Sequence, residues 1–150
     1  MTIGRYTNPL SGRCLCGAVT ITVTESEHEV GACHCRMCQR WSGGLFLSFD
    51  APASSVTVTG AVRRYRSSSF AERAFCPVCG SHLWFNDVPE GGEPEAYELM
   101  PGLFDAARDW PLRSEVYSAR AMASAPLAGD HRRTTAAEYE ADSPFVEDSP

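Results

Sequence analysis

All seven cysteines of this 150-residue chain fall into three short clusters. They are Cys14-Leu15-Cys16-Gly17, Cys33-His34-Cys35-Arg36-Met37-Cys38 and Cys76-Pro77-Val78-Cys79-Gly80. Cysteines that merely fill a core have no reason to sit two or three residues apart. A disulfide framework fits poorly with an odd count. Metal ligation explains the spacing. In Cys-x-x-Cys-Gly, a tight turn brings two thiolates toward one ion, with Pro77 setting the turn and Gly80 free to take φ > 0. A structural tetrahedral zinc needs four ligands, so Cys76 and Cys79 are half a site. The best complement is Cys14 and Cys16, again followed by a glycine; a bulged strand end would turn both sulfurs to one side. These four would join segments about sixty residues apart, and their metal-binding energy would become folding energy.

Cys33, Cys35 and Cys38 remain. Three thiolates on one short segment can hold a zinc whose fourth position is open, the mark of a catalytic site. A sulfur entering that position would be kept deprotonated near neutral pH. His34 lies between two of the ligands, so its side chain is expected to point away from the metal, toward a supporting or substrate contact. Spacing leaves other partitions open, including ones that take a ligand from His28 or His82. Two further readings compete. Cys35-x-x-Cys38 has oxidoreductase spacing, but the βαβ context of a thioredoxin-type motif is missing. A rubredoxin-like iron site would pair two Cys-x-x-Cys knuckles rather than one knuckle with a Cys-x-Cys.

Between the clusters the chain reads as short strands. Ala18–Thr24 alternates and is β-branched, as a half-buried strand should be. Leu45–Phe49, Ser55–Gly60 and Val62–Ser67 follow, with Gly60 marking a turn. His82–Asn86 and Ala96–Met100 flank a Pro/Gly/acid stretch that can only be a loop. Ser114–Ser118 is a last candidate. Helical signals are thin: one or two turns over Cys35–Trp41, ended by Gly43-Gly44, and a short helix over Thr134–Ala141. The expectation is a mainly β domain with its cysteines in the turns.

Charge narrows the function classes. Thirteen basic residues, all arginine, face 19 acidic ones for a net charge of −6. Nucleic-acid affinity is largely cationic, so no nucleic-acid partner is expected. The exception to weigh is Arg63-Arg64-Tyr65-Arg66, which at strand spacing spreads over both faces of a sheet and reads as a solvated edge. No apolar run approaches the roughly 20 residues that span a bilayer. The first residues lack the apolar stretch and cleavage site of an export signal. A cytoplasmic setting, in which thiols stay reduced, is the expectation.

The segments Gly12–Val19, Cys33–Gly44 and Arg73–Phe85, in that order and at that separation, resemble the glutathione-dependent formaldehyde-activating enzyme family and its branch with the centromere protein V domain. Gly60–Ser68 and Met100–Asp105 fit as well, and the resemblance runs from about Gly12 to Tyr117. It implies a Mss4-like, or β-tent, fold of short antiparallel strands with few short helices. It implies two zinc ions per chain, a structural one on Cys14, Cys16, Cys76 and Cys79 and a catalytic one on Cys33, Cys35 and Cys38. It implies a carbon–sulfur lyase that makes or cleaves S-hydroxymethylglutathione, with a small thiol and an aldehyde as its partners. Residues 1–118 would form the zinc domain, and residues 119–150 a surface-wrapping or partly disordered extension. The chain departs from the family near its end: Glu115 stands near a position where members often carry His, and Met122 or Ala123 near an expected Trp. Those departures point to another thiol or adduct.

The expected chemistry is thiol addition to an aldehyde at Cys33, Cys35 and Cys38, with His34 or a water as acid. Arg36, Gln39 and Arg40 would receive the carboxylates of glutathione, because arginine pairs bidentately with carboxylate. Trp41 and Phe46 would wall the pocket or belong to the core. The rivals are a zinc-stapled binding module without chemistry and a thiol redox protein.

Overall fold

The computed structural model describes residues 3–89 and 92–143. In chain order the strands are β1 (Ile3–Arg13), β2 (Thr20–Glu27), β3 (Val30–Cys33), β4 (Leu47–Pro52), β5 (Val56–Thr59), β6 (Arg63–Arg66), β7 (Ala71–Phe75), β8 (His82–Asp87), β9 (Ala96–Leu99), β10 (Leu112–Val116) and β11 (Arg132–Thr134). The helices are α1 (Arg36–Ser42) and α2 (Ala136–Asp142), with short 3-10 turns at Ala53–Ser55, Pro101–Leu103, Asp105–Asp109 and Ser118–Arg120. The fold is mainly β, as the alternating segments require. The chain divides into two compact units, one made of the residues up to His28 with Ser48–Trp110, the other of Glu29–Leu47 with the chain from Pro111 onward.

In the first unit β1, β2 and β5 form one antiparallel sheet, and β4, β9, β8, β7 and β6 pair antiparallel in that order. Strand alternation sends Ile21 and Val23 of β2 inward. They share one core with Val19, Phe49, Ala51, Leu83, Trp84, Leu99 and Phe104. Phe49 meets the edges of Phe104 and Trp110 at centroid distances of 5.2 and 5.0 Å. Burying each such side chain stabilises the unit by about 1.5–3 kcal/mol. Cys14 and Cys76 belong to the same core, so the first metal candidate is rooted in the packing. The arginine-rich β6 is an edge strand with every residue exposed, the solvated edge its spacing implies.

In the second unit β10 lies between β3 and β11 and runs parallel to both. These two parallel pairings sit within a fold that is otherwise mostly antiparallel, as expected. The register sets Ala32 and Arg133 opposite Glu115 on either side, and Cys33 opposite Val116. Helix α1 starts one residue later than expected because Cys35 is its N-cap, the Cys38 N–H donating to the Cys35 sulfur at 3.4 Å. It ends at Gly43 in the left-handed region, whose N–H donates to the Gln39 carbonyl. Helix α2 is capped by Thr135, which accepts from the Glu138 N–H.

Candidate metal centres

Two cysteine groups converge among the described residues. In the first, the sulfurs of Cys14, Cys16, Cys76 and Cys79 all lie within 4.8 Å of one another. Each pair sits on a reverse turn closed by a left-handed glycine. The Gly17 N–H donates to the Cys14 carbonyl and the Gly80 N–H to the Cys76 carbonyl, at φ +80° and +78°. The Cys-x-Cys pair is therefore turned by the Gly17 hairpin and not by a bulge; the bulge of β1 lies between Arg5 and Leu10. Backbone N–H groups aim at the sulfurs, Val19 at Cys14 (3.3 Å) and Ala18 at Cys16 (3.4 Å). The Cys14–Cys16 and Cys16–Cys76 sulfur separations are 3.6 and 3.8 Å. A tetrahedron with bonds of about 2.3 Å has edges of about 3.8 Å, so the donor set fits a zinc-sized ion.

The electrostatics agree. The Ser81 hydroxyl, 3.2 Å from Cys79, and the Ser81 N–H draw the Cys79 thiol down to about 5. Ser81 is also the acceptor for the Leu15 N–H, so one hydroxyl joins the two turns. Cys16 receives the Ala18 N–H, but burial and the thiols of Cys14, Cys79 and Cys76 push it up to about 11. Four thiols this close cannot all ionise alone, and a dication removes that conflict.

The second group is Cys33, Cys35 and Cys38, again with all sulfurs within 4.8 Å. Cys33 ends β3, Cys35 caps α1, and Cys38 lies one turn into the helix, so strand end and first turn aim three sulfurs at one point. Hydrogen bonding among the three thiols, then burial, raises Cys33 well above its ordinary range. No fourth Cys, His, Asp or Glu joins this group among the described residues. His28 instead stacks on Trp110, with centroids 5.4 Å apart, and His82 donates to the Trp84 carbonyl at 3.2 Å.

His34 is buried at 3% exposure, and its Nε2–H donates to Glu115 Oε1 at 2.7 Å. Its backbone N–H donates to the Val116 carbonyl at 3.0 Å. The side chain thus turns into the protein, toward Glu115. The ring nitrogen Nε2 is thereby engaged with Glu115. The other oxygen of Glu115 accepts from His131 Nε2 (2.5 Å) and forms an ion pair with Arg133 Nε (3.2 Å). Burial raises the Glu115 carboxyl, but the hydrogen bonds from His131 and His34 outweigh it and hold the group below its ordinary value.

Arg36, Gln39 and Arg40 line an open groove of about 340 Å³ with Gly43, Gly44 and Met122. The Gln39 amide donates to the Arg120 carbonyl at 2.8 Å and ties α1 to the Ser118–Arg120 turn. Phe46 is buried, whereas Trp41 is half-buried. Tyr117 was not among the residues singled out from sequence. It is buried, takes the left-handed conformation (φ 55°), and donates its hydroxyl to Glu140 at 3.0 Å. Nor was His131, whose importance rests on a contact sixteen residues back along the chain.

No described helix is long and apolar enough to cross a membrane. The sequence profile described as glutathione-dependent formaldehyde-activating enzyme matches residues 9–120. A Schizosaccharomyces pombe protein named "Uncharacterized lyase" is 40% identical over 75 residues, 49% of this chain and 55% of the relative. A Halomonas elongata protein named "Putative glutathione-dependent formaldehyde-activating enzyme" is 32% identical over 88 residues, 52% of this chain and 56% of the relative. The chain spans about half the length of these curated relatives. A crystal structure of a Rhodobacter sphaeroides protein superposes with a TM-score of 0.52 at 25% identity, covering 69% of this chain and 99% of that one. With cysteine groups in place and most of its length matched, the chain belongs to the glutathione-dependent formaldehyde-activating enzyme family.

Proposed function

We propose that the protein forms or cleaves an S-hydroxymethyl-type adduct of glutathione, or a related thiol, with formaldehyde or a related aldehyde. The observation that carries this reading is the second cysteine group: three converging sulfurs and, among the described residues, no fourth protein donor. Cys14, Cys16, Cys76 and Cys79 would hold a closed structural zinc, and Cys33, Cys35 and Cys38 a second zinc. That second ion supplies the positive charge that keeps an incoming sulfur deprotonated near neutral pH.

The chain's own residues do the rest. Arg36 and Arg40 on α1 present guanidinium groups to the open groove, where the carboxylates of a glutathione-like thiol would be paired. Gln39 spends its amide N–H on the Arg120 carbonyl, so its part is to hold the turn leading to Met122 beside the helix. The reaction is an addition without change of oxidation state. The S–H bond breaks, a C–S bond forms at the carbonyl carbon, and the proton ends on the former carbonyl oxygen. Solvent in the groove supplies that proton, because His34 is buried against Glu115. Cleavage is the same path reversed.

Elemental analysis of the purified protein with and without millimolar glutathione tests the reading. Two zinc ions per chain are expected, with glutathione perturbing only the second. A single zinc that is indifferent to glutathione would leave a stapled scaffold and remove the basis for the chemistry.

A further inference from the structure

The family profile ends at residue 120, yet the segment beyond it reaches the interior of the second unit. β11 pairs with β10 in parallel, and from it and the residue before it Arg133 and His131 converge on Glu115 Oε2. Glu115 Oε1 receives His34, the residue between two of the converging cysteines. The side chains of Glu115 and His131 are 5% and 3% exposed. A carboxylate this deeply placed is held only if hydrogen bonds and countercharge satisfy it, and here two histidine donors and the Arg133 ion pair do.

The geometry points to a positioning role: His131 and Arg133 clamp Glu115, and Glu115 clamps His34, so that the turn from Cys33 to Cys35 keeps its sulfurs convergent. In extended backbone, residues i and i+2 share a face and i+1 takes the other. Pinning the His34 ring on the inner face therefore sets where Cys33 and Cys35 aim. The His34 N–H on the Val116 carbonyl fixes the backbone of the same residue, and the Glu115 contact fixes its side chain. Neither atom alone would stop the turn from rotating about its own axis; together they do. The segment after residue 120 is then part of the second metal centre without supplying a ligand. Polar partners beyond the metal ligands characteristically change metal affinity by about 10–100-fold.

This inference rests on the second cysteine group binding metal, and the test separates the two claims. Full-length wild type, His131→Ala and His131→Gln would be loaded with cobalt(II) and then with zinc. The thiolate absorption bands of the cobalt forms would be recorded, and zinc release to a chromogenic chelator timed. His131→Ala leaves Arg133 on Glu115, and His131→Gln restores an N–H near the Nε2 position. The expected result is release of one zinc about 10-fold faster in His131→Ala with altered cobalt bands. The other zinc is retained as in wild type, and His131→Gln returns both readouts toward wild type. Two zincs released at wild-type rates from His131→Ala would overturn the clamp while leaving the metal site standing. Parallel acceleration of both zincs would overturn it too, since that is general destabilisation. A wild-type chain that takes up one metal sinks the metal site, and the clamp with it.

Discussion

At the scale of single residues, Cys35 has two duties that can be separated chemically. Its sulfur belongs to the second cysteine group, and the same sulfur caps α1 by accepting the Cys38 N–H. Serine keeps an acceptor at the N-cap but is a poor zinc ligand. Cys35→Ser should therefore lose the second metal and drop adduct formation to background, while far-UV circular dichroism and the first metal stay as in wild type. Cys35→Ala should lose the cap as well and unfold with about 1 kcal/mol less stability than the serine variant. A Cys35→Ser protein with wild-type turnover would end the proposed mechanism. The cysteine groups themselves were legible in the sequence, because ligand spacing within a turn is a local property. Glu115 was legible only as a departure from the family pattern. The contacts that give it meaning come from His34 and His131, 81 and 16 residues away, and no local pattern encodes them.

Elements were legible in proportion to how far local chemistry decides them. β2 and β5 alternate and carry β-branched residues, β6, β8 and β9 are bounded by the Gly60 turn or the Pro/Gly/acid loop, and all five were anticipated to within a few residues. β7 (AERAF) was missed because it sets charged Glu72 and Arg73 among apolar residues, and its Arg73 is buried against the face of Phe85 at 5.0 Å. β3 and β11 are too short to show a period, and their pairing comes from β10. The Gly60 turn was anticipated, but its severity comes from tertiary contact. Gly60 sits at φ +104°, and a Cβ there would lie 2.1 Å from the Ala18 carbonyl oxygen. Backbone faces backbone, so neither side yields. Gly60→Ala should cost about 3 kcal/mol or more and lower Tm by about 10 °C. Gly102→Ala, whose Cβ meets nothing within 4 Å, should leave Tm nearly unchanged. Equal Tm losses in the two variants, measured by thermal melting, would show that helix and strand propensity rather than the Ala18 contact governs the turn.

For the molecule as a whole, one acid-sensitive group lies in the first unit beside the four-cysteine group, the half-buried His82. Burial, aided by the charge of Arg73, depresses His82 to about 4 from an unfolded value of about 6.5. The sign follows from proton counting. Between those two values the unfolded chain binds the proton that the folded chain refuses, so stability is complete above about pH 6.5 and falls as pH drops toward 4. The full excursion is worth about 3 kcal/mol, because each pKa unit corresponds to about 1.4 kcal/mol. Thiol protonation, with release of any metal the four cysteines hold, would destabilise the same unit over an overlapping range. The histidine contribution must therefore be isolated by difference. His82→Gln keeps an N–H for the Trp84 carbonyl and removes the titration. Urea unfolding of both proteins at pH 7 and pH 4 should show wild type losing about 3 kcal/mol more than the variant across that interval, with equal metal content at pH 7. Identical losses would mean that the half-buried imidazole carries no proton-linked stability.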